Sequence, residues 1–307
     1  MWEGNMNYRA LSFVAGLLML QAGYAEAASC GGHGDRSTLL VTTSWLADHL
    51  NDKNVVVLGV GKKEDYDKGH IPGSLFVEYM DTHVMKSEAG LTLELSPTDV
   101  IKDVFEKLGV SSDSRVILYP ITDWISPTTR VLLTLDALGM GRQTALLDGG
   151  LPAWTSEGRK VSTEVRSVIR GKLEPCPQSD VITDLAYVST NLHHAGVAIV
   201  DARDPQFYTG ATVPRDRRAG HIPGASNITY STVVDDKGKL KPTAVLEEMF
   251  KKAGVQKGDR VVSYCHIGQQ ATVIYFVARY LGYDARMFDG SWEDWSRHNE
   301  LPAEVSK

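Results

Sequence analysis

From about residue 39 onward, short β-branched and aliphatic runs alternate with longer stretches whose apolar positions recur every three or four residues. The carboxyl-terminal half shows the pattern most clearly. Val197–Asp201, Val261–Tyr264 and Ala285–Phe288 read as buried strands. Leu185–Leu192, Ala244–Lys252, Gln269–Leu281 and Trp292–Arg297 read as helices. Strands alternating with helices predict an α/β fold, a mostly parallel sheet with helices on both faces. In such sheets chemistry gathers beyond the carboxyl ends of the strands.

The pattern occurs twice. Asp67-Lys68-Gly69-His70-Ile71-Pro72-Gly73-Ser74 returns as Arg218-Ala219-Gly220-His221-Ile222-Pro223-Gly224-Ala225. Arg115-Val116-Ile117-Leu118-Tyr119-Pro120 returns as Arg260-Val261-Val262-Ser263-Tyr264-Cys265. Leu147-Asp148-Gly149-Gly150 with Trp154 returns as Phe288-Asp289-Gly290-Ser291 with Trp295. Order and spacing are kept, so the chain carries two copies of one domain. We place them at 36–166 and 181–304, joined by a linker at 167–180 where Gly171, Pro175 and Pro177 break the periodicity. The copies differ. Pro120 stands where Cys265 stands, Gly59 and Gly61 stand where Asp201 and Arg203 stand, and the first copy has a longer turn from Ile121 to Pro127. The first copy therefore cannot run the same chemistry; its expected roles are structural and as one wall of the site.

The amino terminus departs from the pattern. Arg9 precedes an apolar run from Ala10 to Leu20, followed by small residues and Ala25-Glu26-Ala27. This reads as an export signal over residues 1–27, with an apolar core too short to span a bilayer. In a bacterium it would make the protein periplasmic, with no stable membrane insertion after cleavage. Ala27-Ala28-Ser29-Cys30 lacks the leucine three positions before the cysteine that a lipid-anchor signal would carry. The 307 residues are 43% hydrophobic and 23% charged, with net charge −6 and no block of like charge. A nucleic-acid partner therefore has no electrostatic support. Cys30, Cys176 and Cys265 are too few for a disulfide scaffold. Cys30 and Cys176 fall in tail and linker and read as incidental thiols, with a pairing between them left open.

Cys265 is different, because it sits at a strand-to-helix turn. Free backbone N–H groups and the positive end of a helix dipole converge there and favour a thiolate. The amides of His266, Ile267, Gly268, Gln269 and Gln270 are placed to stabilise that charge, and Gly268 lets the loop curl. Asp201 and Arg203 end a strand, as an ion pair or as an oxyanion-binding fork. Thr272 reads as a cap for the following helix. His70 and His221, one in each copy, read as braces of turns.

Together the duplicated Gly-His-Ile-Pro-Gly, the cysteine loop with Gly268 three residues after the nucleophile, and the Asp289…Trp295 ending resemble the rhodanese family of two-domain sulfurtransferases. The resemblance spans roughly Leu39 to Pro302. It implies tandem rhodanese-like α/β domains, the first silent and the second catalytic. It implies a ping-pong transfer in which Cys265 takes a sulfane sulfur as a persulfide and passes it to cyanide, a thiol or a protein acceptor. It implies that Arg203 sits by the nucleophile and helps place an anionic donor. No metal or organic cofactor is required.

One departure touches the donor. Thiosulfate enzymes of the vertebrate type carry two basic residues after the cysteine, and mercaptopyruvate enzymes carry Gly followed by Ser or Ala. This chain has His266 and Ile267. Thr212–Arg218 carries Arg215, Arg217 and Arg218, which would supply positive charge or form a solvated loop. Thiosulfate is the favoured donor; 3-mercaptopyruvate and a non-catalytic persulfide carrier are the alternatives. Cysteine phosphatases need a cation at the far end of the loop, where this chain has Gln270, Ala271 and Thr272.

Overall fold

The computed structural model describes residue 1 and residues 36–214 and 217–306. The export signal, Cys30 and Arg215 lie outside the described residues. Among the described residues, seven strands belong to the first half: β1 (Leu40–Val41), β2 (Val55–Val60), β3 (Leu75–Val77), β4 (His83–Val84), β5 (Glu94–Leu95), β6 (Arg115–Pro120) and β7 (Thr144–Leu147). Five belong to the second: β8 (Ile182–Thr183), β9 (Val197–Asp201), β10 (Ser226–Asn227), β11 (Arg260–Tyr264) and β12 (Asp284–Phe288). The first sheet runs β1-β7-β6-β2-β3 and the second β8-β12-β11-β9-β10, all pairs parallel. The topology is the same in both, as the repeat requires. Strand β2 is buried at every position, the signature of a parallel strand covered on both faces.

Register explains why the first copy lacks the Asp–Arg pair. Gly59 pairs with Tyr119 as Asp201 pairs with Tyr264. A Cβ on Gly59 would lie 2.6 Å from the Tyr119 hydroxyl, which instead meets Ser74 Oγ at 2.8 Å. The tyrosine of the first copy leaves no room there for a carboxylate.

The domains join through equivalent helices, Ser126–Leu135 and Ala271–Tyr280. Thr129 Oγ1 meets Thr272 Oγ1 at 2.7 Å, Gln269 Nε2 donates to Ser126 Oγ at 3.3 Å, and Arg279 pairs with Asp136; each pair is separated by 143 residues. Leu138-Gly139 and Leu281-Gly282, both glycines at positive φ, keep the same offset. Equivalent residues thus touch their own counterparts, as on the two-fold axis of an isologous dimer. One apolar core runs through the joint, from Val131, Leu132 and Leu135 to Val273, Ile274 and Val277.

The domains also trade straps. Leu95 N–H, from the β4–β5 hairpin, donates to Asp289 Oδ2 at 3.2 Å, and Leu240 N–H of the second domain donates to Asp148 Oδ1 at 2.9 Å. Thr92 N–H donates to Glu293 Oε2 at 2.8 Å and Arg297 Nη2 to Gly90 O at 2.6 Å, drawing the hairpin over helix Ser291–Trp295. The connecting segment lies along the first domain, with Leu173 N–H on Glu106 Oε1 at 2.9 Å and Cys176 N–H on Leu138 O at 2.9 Å. Cys176 is disulfide-bonded, which corrects its reading as an incidental thiol. No helix among the described residues is long and apolar enough to cross a membrane.

Candidate active site

Cys265 is a free, buried thiol immediately after β11, at the carboxyl edge of the second sheet. It opens on a cavity of about 140 Å3 lined by Trp124, Ser126, Cys265, His266, Ile267, Gln269 and Gln270. A larger cleft of about 620 Å3 lies beside Pro97 and does not include this thiol in its lining. Trp124 and Ser126 come from the longer turn of the first copy, so the cysteine-less domain does build one wall.

Most carbonyls of the loop are occupied, and the amides that follow Cys265 are not. Cys265 O accepts from Trp292 N–H at 2.9 Å, and His266 O accepts from Glu293 N–H at 3.0 Å. Gly268 O accepts from Arg130 Nη1 at 3.2 Å. Gln269 O takes the Thr272 hydroxyl at 2.7 Å, and Gln270 O takes Val273 N–H at 3.1 Å. Among the described residues, no acceptor takes the amides of His266, Ile267, Gly268, Gln269 or Gln270. Buried backbone donors are rarely left unpaired. A run of them beside a helix N-terminus forms an anion-binding nest. Gly268 supplies the reversal with φ of 85°.

Arg203 is fully buried and is not part of the cavity lining. Its Nε and Nη2 grip the carboxylate of Asp201, with Nη2 2.6 Å from Oδ2, and Nη2 also donates to Gly220 O at 2.8 Å. The guanidinium lies 4.9 Å from the Trp292 ring centre. Burial works against its charge, but the Asp201 bonds and nearby anionic groups outweigh that and hold its pKa above the ordinary value. Its Nη1 is buried without an acceptor.

His266 stacks edge-on against Phe207, with ring centres 4.6 Å apart. Burial, and next the charge of Arg203, pull its pKa down to about 4. It is therefore neutral at pH 7 and gives the cavity no cation. Thr272 is not the helix cap. The helix begins at Ala271 with Gln270 as its cap residue, and the Thr272 hydroxyl turns back to Gln269 O and to Thr129 across the interface. Gln269 reaches Ser126, and Gln270 Oε1 is buried without a donor. His70 and His221 brace equivalent turns, their Nδ1 atoms on Tyr66 O and Tyr208 O and their rings stacked on the same tyrosines. Among the described residues, no group of histidine, cysteine and carboxylate side chains has the arrangement to hold a metal ion.

Residue-by-residue reading of the loop misses what grips it from outside. Ser291 Oγ accepts from Cys265 N–H at 3.2 Å and donates to Phe288 O at 2.9 Å. Ser291 holds φ of 52°, where its first-copy counterpart Gly150 holds 55°. A serine in a glycine's backbone position was the available signal. Trp124, Ser126 and Arg130 carry no local motif; only the packing of the domains brings them to the loop.

The family profile described as the rhodanese-like domain matches residues 42–157 and 184–298. The sulfur carrier protein TtuD of Thermus thermophilus is 32% identical over 283 residues, covering 86% of this chain and 95% of the relative. The thiosulfate sulfurtransferase of Pseudomonas aeruginosa is 28% identical over 270 residues, covering 87% and 97%. The crystal structure of the anaerobic ergothioneine biosynthesis enzyme from Chlorobium limicola superposes with a TM-score of 0.77 at 19% identity, over 89% of this chain and 71% of that one, a likeness of fold.

Proposed function

The chain belongs to the rhodanese family of sulfurtransferases, and we propose that its second domain takes the outer sulfur of thiosulfate onto Cys265 as a persulfide and passes it to a thiophilic acceptor such as cyanide or a thiol. The supporting observation is a buried, free thiol beside a loop in which the carbonyls of Cys265, His266, Gly268, Gln269 and Gln270 are tied back while the amides from His266 to Gln270 have no acceptor among the described residues.

In the first half-reaction the Cys265 thiolate attacks the outer sulfur of thiosulfate. The S–S bond of the donor breaks, its electron pair leaves on sulfite, and the negative charge stays on the terminal persulfide sulfur. In the second, cyanide attacks that sulfur, the Cys265 S–S bond breaks, and thiocyanate leaves the regenerated thiolate. Both enzyme forms are anions at one place, so a fixed set of amides serves both without reorganisation. A liquid water takes roughly 30 Å3, so the cavity suits a substrate of a few heavy atoms. In this reading the unpaired Nη1 of Arg203 adds positive potential behind the loop.

Thiosulfate treatment of the full chain, followed by peptide mass spectrometry, tests the assignment. The mass of one sulfur atom is expected on the Cys265 peptide, and Cys265→Ser is expected to abolish both the adduct and thiocyanate formation. Label on another cysteine, or turnover in the serine variant, would overturn it.

A second reading, a persulfide carrier, draws on the described cavity lining, which holds no cation for a doubly charged donor. Steady-state thiocyanate formation separates the two, since a carrier loads once and turns over slowly with small acceptors. We read the amino-terminal pattern as an export signal, which a mature chain lacking residues 1–27 would support.

A further inference from the structure

Arg130 belongs to the domain without the nucleophile, yet its guanidinium ends on the cysteine loop. It leaves helix Ser126–Leu135 fully buried. Its Nε donates to His83 Nε2 at 2.8 Å and its Nη2 to Leu93 O. Its Nη1 donates to Gly268 O at 3.2 Å and stands 2.7 Å from Asp289 Oδ1, an ion-pair contact without an aligned hydrogen bond. His83 accepts as a neutral ring, its other nitrogen on Tyr79 O at 2.7 Å. Asp289 also takes Leu95 N–H, so it is fixed from the same hairpin whose Leu93 carbonyl anchors Arg130. Gly268 packs directly on this pair: a Cβ there would come within 2.9 Å of Asp289 Oδ1 and 3.2 Å of Arg130 Nη1.

The internal repeat supplies a control. Across the pseudo-two-fold, Asp289 corresponds to Asp148, and each accepts from the equivalent leucine of the opposite strap. The offset of 143 that relates the interface helices places Val273 opposite Arg130. Asp148 therefore has no buried arginine; the half-exposed Lys239 lies near it instead. Burying a guanidinium is costly, and the position equivalent to Arg130 does without one; the joint's other buried arginine, Arg279, is paired with Asp136. At this pair of equivalent positions the arginine stands on the side that backs onto the cysteine loop, and valine on the other.

We propose that Arg130 is a positioning residue for sulfur transfer: it holds the Gly268 carbonyl against Asp289, away from the cavity, and so keeps the loop in the curl that frees its amides for the sulfur anion. The cysteine-less domain is then a required part of the reactive site as well as its wall. The inference rests on the persulfide reading of Cys265.

The test uses the full chain with Arg130→Met, Arg130→Lys and the double variant Arg130→Met/Asp289→Asn, which cancels the buried charge in case the single variant does not fold. Tyr275→Phe loosens the same interface at Asp136 without touching the loop. Two rates are read at pH 7.5, alkylation of Cys265 by iodoacetamide and sulfur loading from thiosulfate. Arg130→Met and the double variant are expected to lose at least tenfold in both, Arg130→Lys to recover part of the loss, and Tyr275→Phe to stay within twofold of the wild type. Either methionine variant, folded and within twofold of the wild type, overturns the proposal. An equal loss in Tyr275→Phe also overturns it, by assigning the effect to the interface in general. If the wild type takes no sulfur from any donor, the persulfide reading fails, and the alkylation ratios still decide the role of Arg130.

Discussion

Gly268→Ala tests the loop with a built-in control, because Gly282 has nearly the same backbone, φ of 87° against 85°, in open space. An alanine held in the left-handed region costs about 1–2 kcal/mol, and Gly282→Ala should show that cost alone. At Gly268 the new methyl would also lie 2.9 Å from the Asp289 carbonyl oxygen and from its carboxylate. Neither can step aside: one is backbone, and the other is held by Leu95 N–H and the charge of Arg130. Overpacking of this kind adds about 1–3 kcal/mol, so Gly268→Ala should cost roughly 2–5 kcal/mol in urea unfolding. The loop can relieve the crowding only by moving off Asp289, which turns its amides away from the sulfur. Single-turnover loading from thiosulfate, followed by sulfite release, should fall more than tenfold in Gly268→Ala and stay within twofold in Gly282→Ala. Equal loading by both variants would refute the idea that the curl at Gly268 sets up the anion site.

Arg203→Ala leaves Asp201 buried without its partner and should cost about 3–5 kcal/mol of stability. Arg203→Met/Asp201→Asn should recover most of that in urea unfolding, and a KM for thiosulfate unchanged in this folded double variant would rule out a role for Arg203 in donor binding. Burial and the charge of Arg130 hold His83 at about 3, and His266 stands at about 4, both below the ordinary value of 6.5. The unfolded chain takes up protons that the native state refuses, so stability present above pH 6.5 is lost as pH falls toward these values. The loss is about 1.4 kcal/mol per pH unit for buried His83 and less for the partly exposed His266. A urea midpoint flat from pH 7 to 5, or an unchanged slope in His83→Gln, would contradict this. Trp124 stands half-exposed at the cavity mouth. Trp124→Ala should leave stability within about 0.5 kcal/mol and raise the rate with 3-mercaptopyruvate relative to thiosulfate; an unchanged ratio would show that this wall does not select the donor.

Much of the fold was legible because parallel strands buried on both faces must be apolar throughout, and the repeat showed the same design twice. Val197–Asp201 matches the strand residue for residue. The helix expected from Gln269 begins instead at Ala271, because Gln269 and Gln270 remain in the loop, their carbonyls taken by the next turn. The cysteine loop was legible for the same local reason: a nucleophile, a glycine and a helix start are neighbours in sequence. What grips the loop was not. Arg130 is 138 residues from Gly268 and Ser126 is 143 from Gln269, and no periodicity within either copy announces a contact between copies. Arg203 was open in the opposite way, since an arginine two residues from an aspartate fits an oxyanion fork and an ion pair equally well in sequence, and only the structure shows it buried on Asp201.

The two-fold character of the joint gives the cysteine-less domain its meaning. Thr129 on Thr272 and Asp136 on Arg279 are contacts between a position and its own repeat, the pattern expected when two copies of one domain associate face to face. In a strictly symmetric pair, each loop would be backed by the same partner residues and either could carry the nucleophile. The symmetry is broken in a coordinated way. Pro120 removes the thiol from the first copy, and Tyr119 over Gly59 removes the room for an ion pair. The lengthened turn sends Trp124 and Ser126 to the surviving site, and Arg130 reaches the surviving loop while its counterpart is Val273. Each change that disables one loop is accompanied by one that equips the other across the interface. A second domain isolated from the first would therefore keep its sheet and its cysteine but lose a cavity wall, the Leu95 strap and the hold on Gly268. Separation should reduce thiol reactivity well beyond what lost stability alone explains, and adding the first domain in trans should restore it.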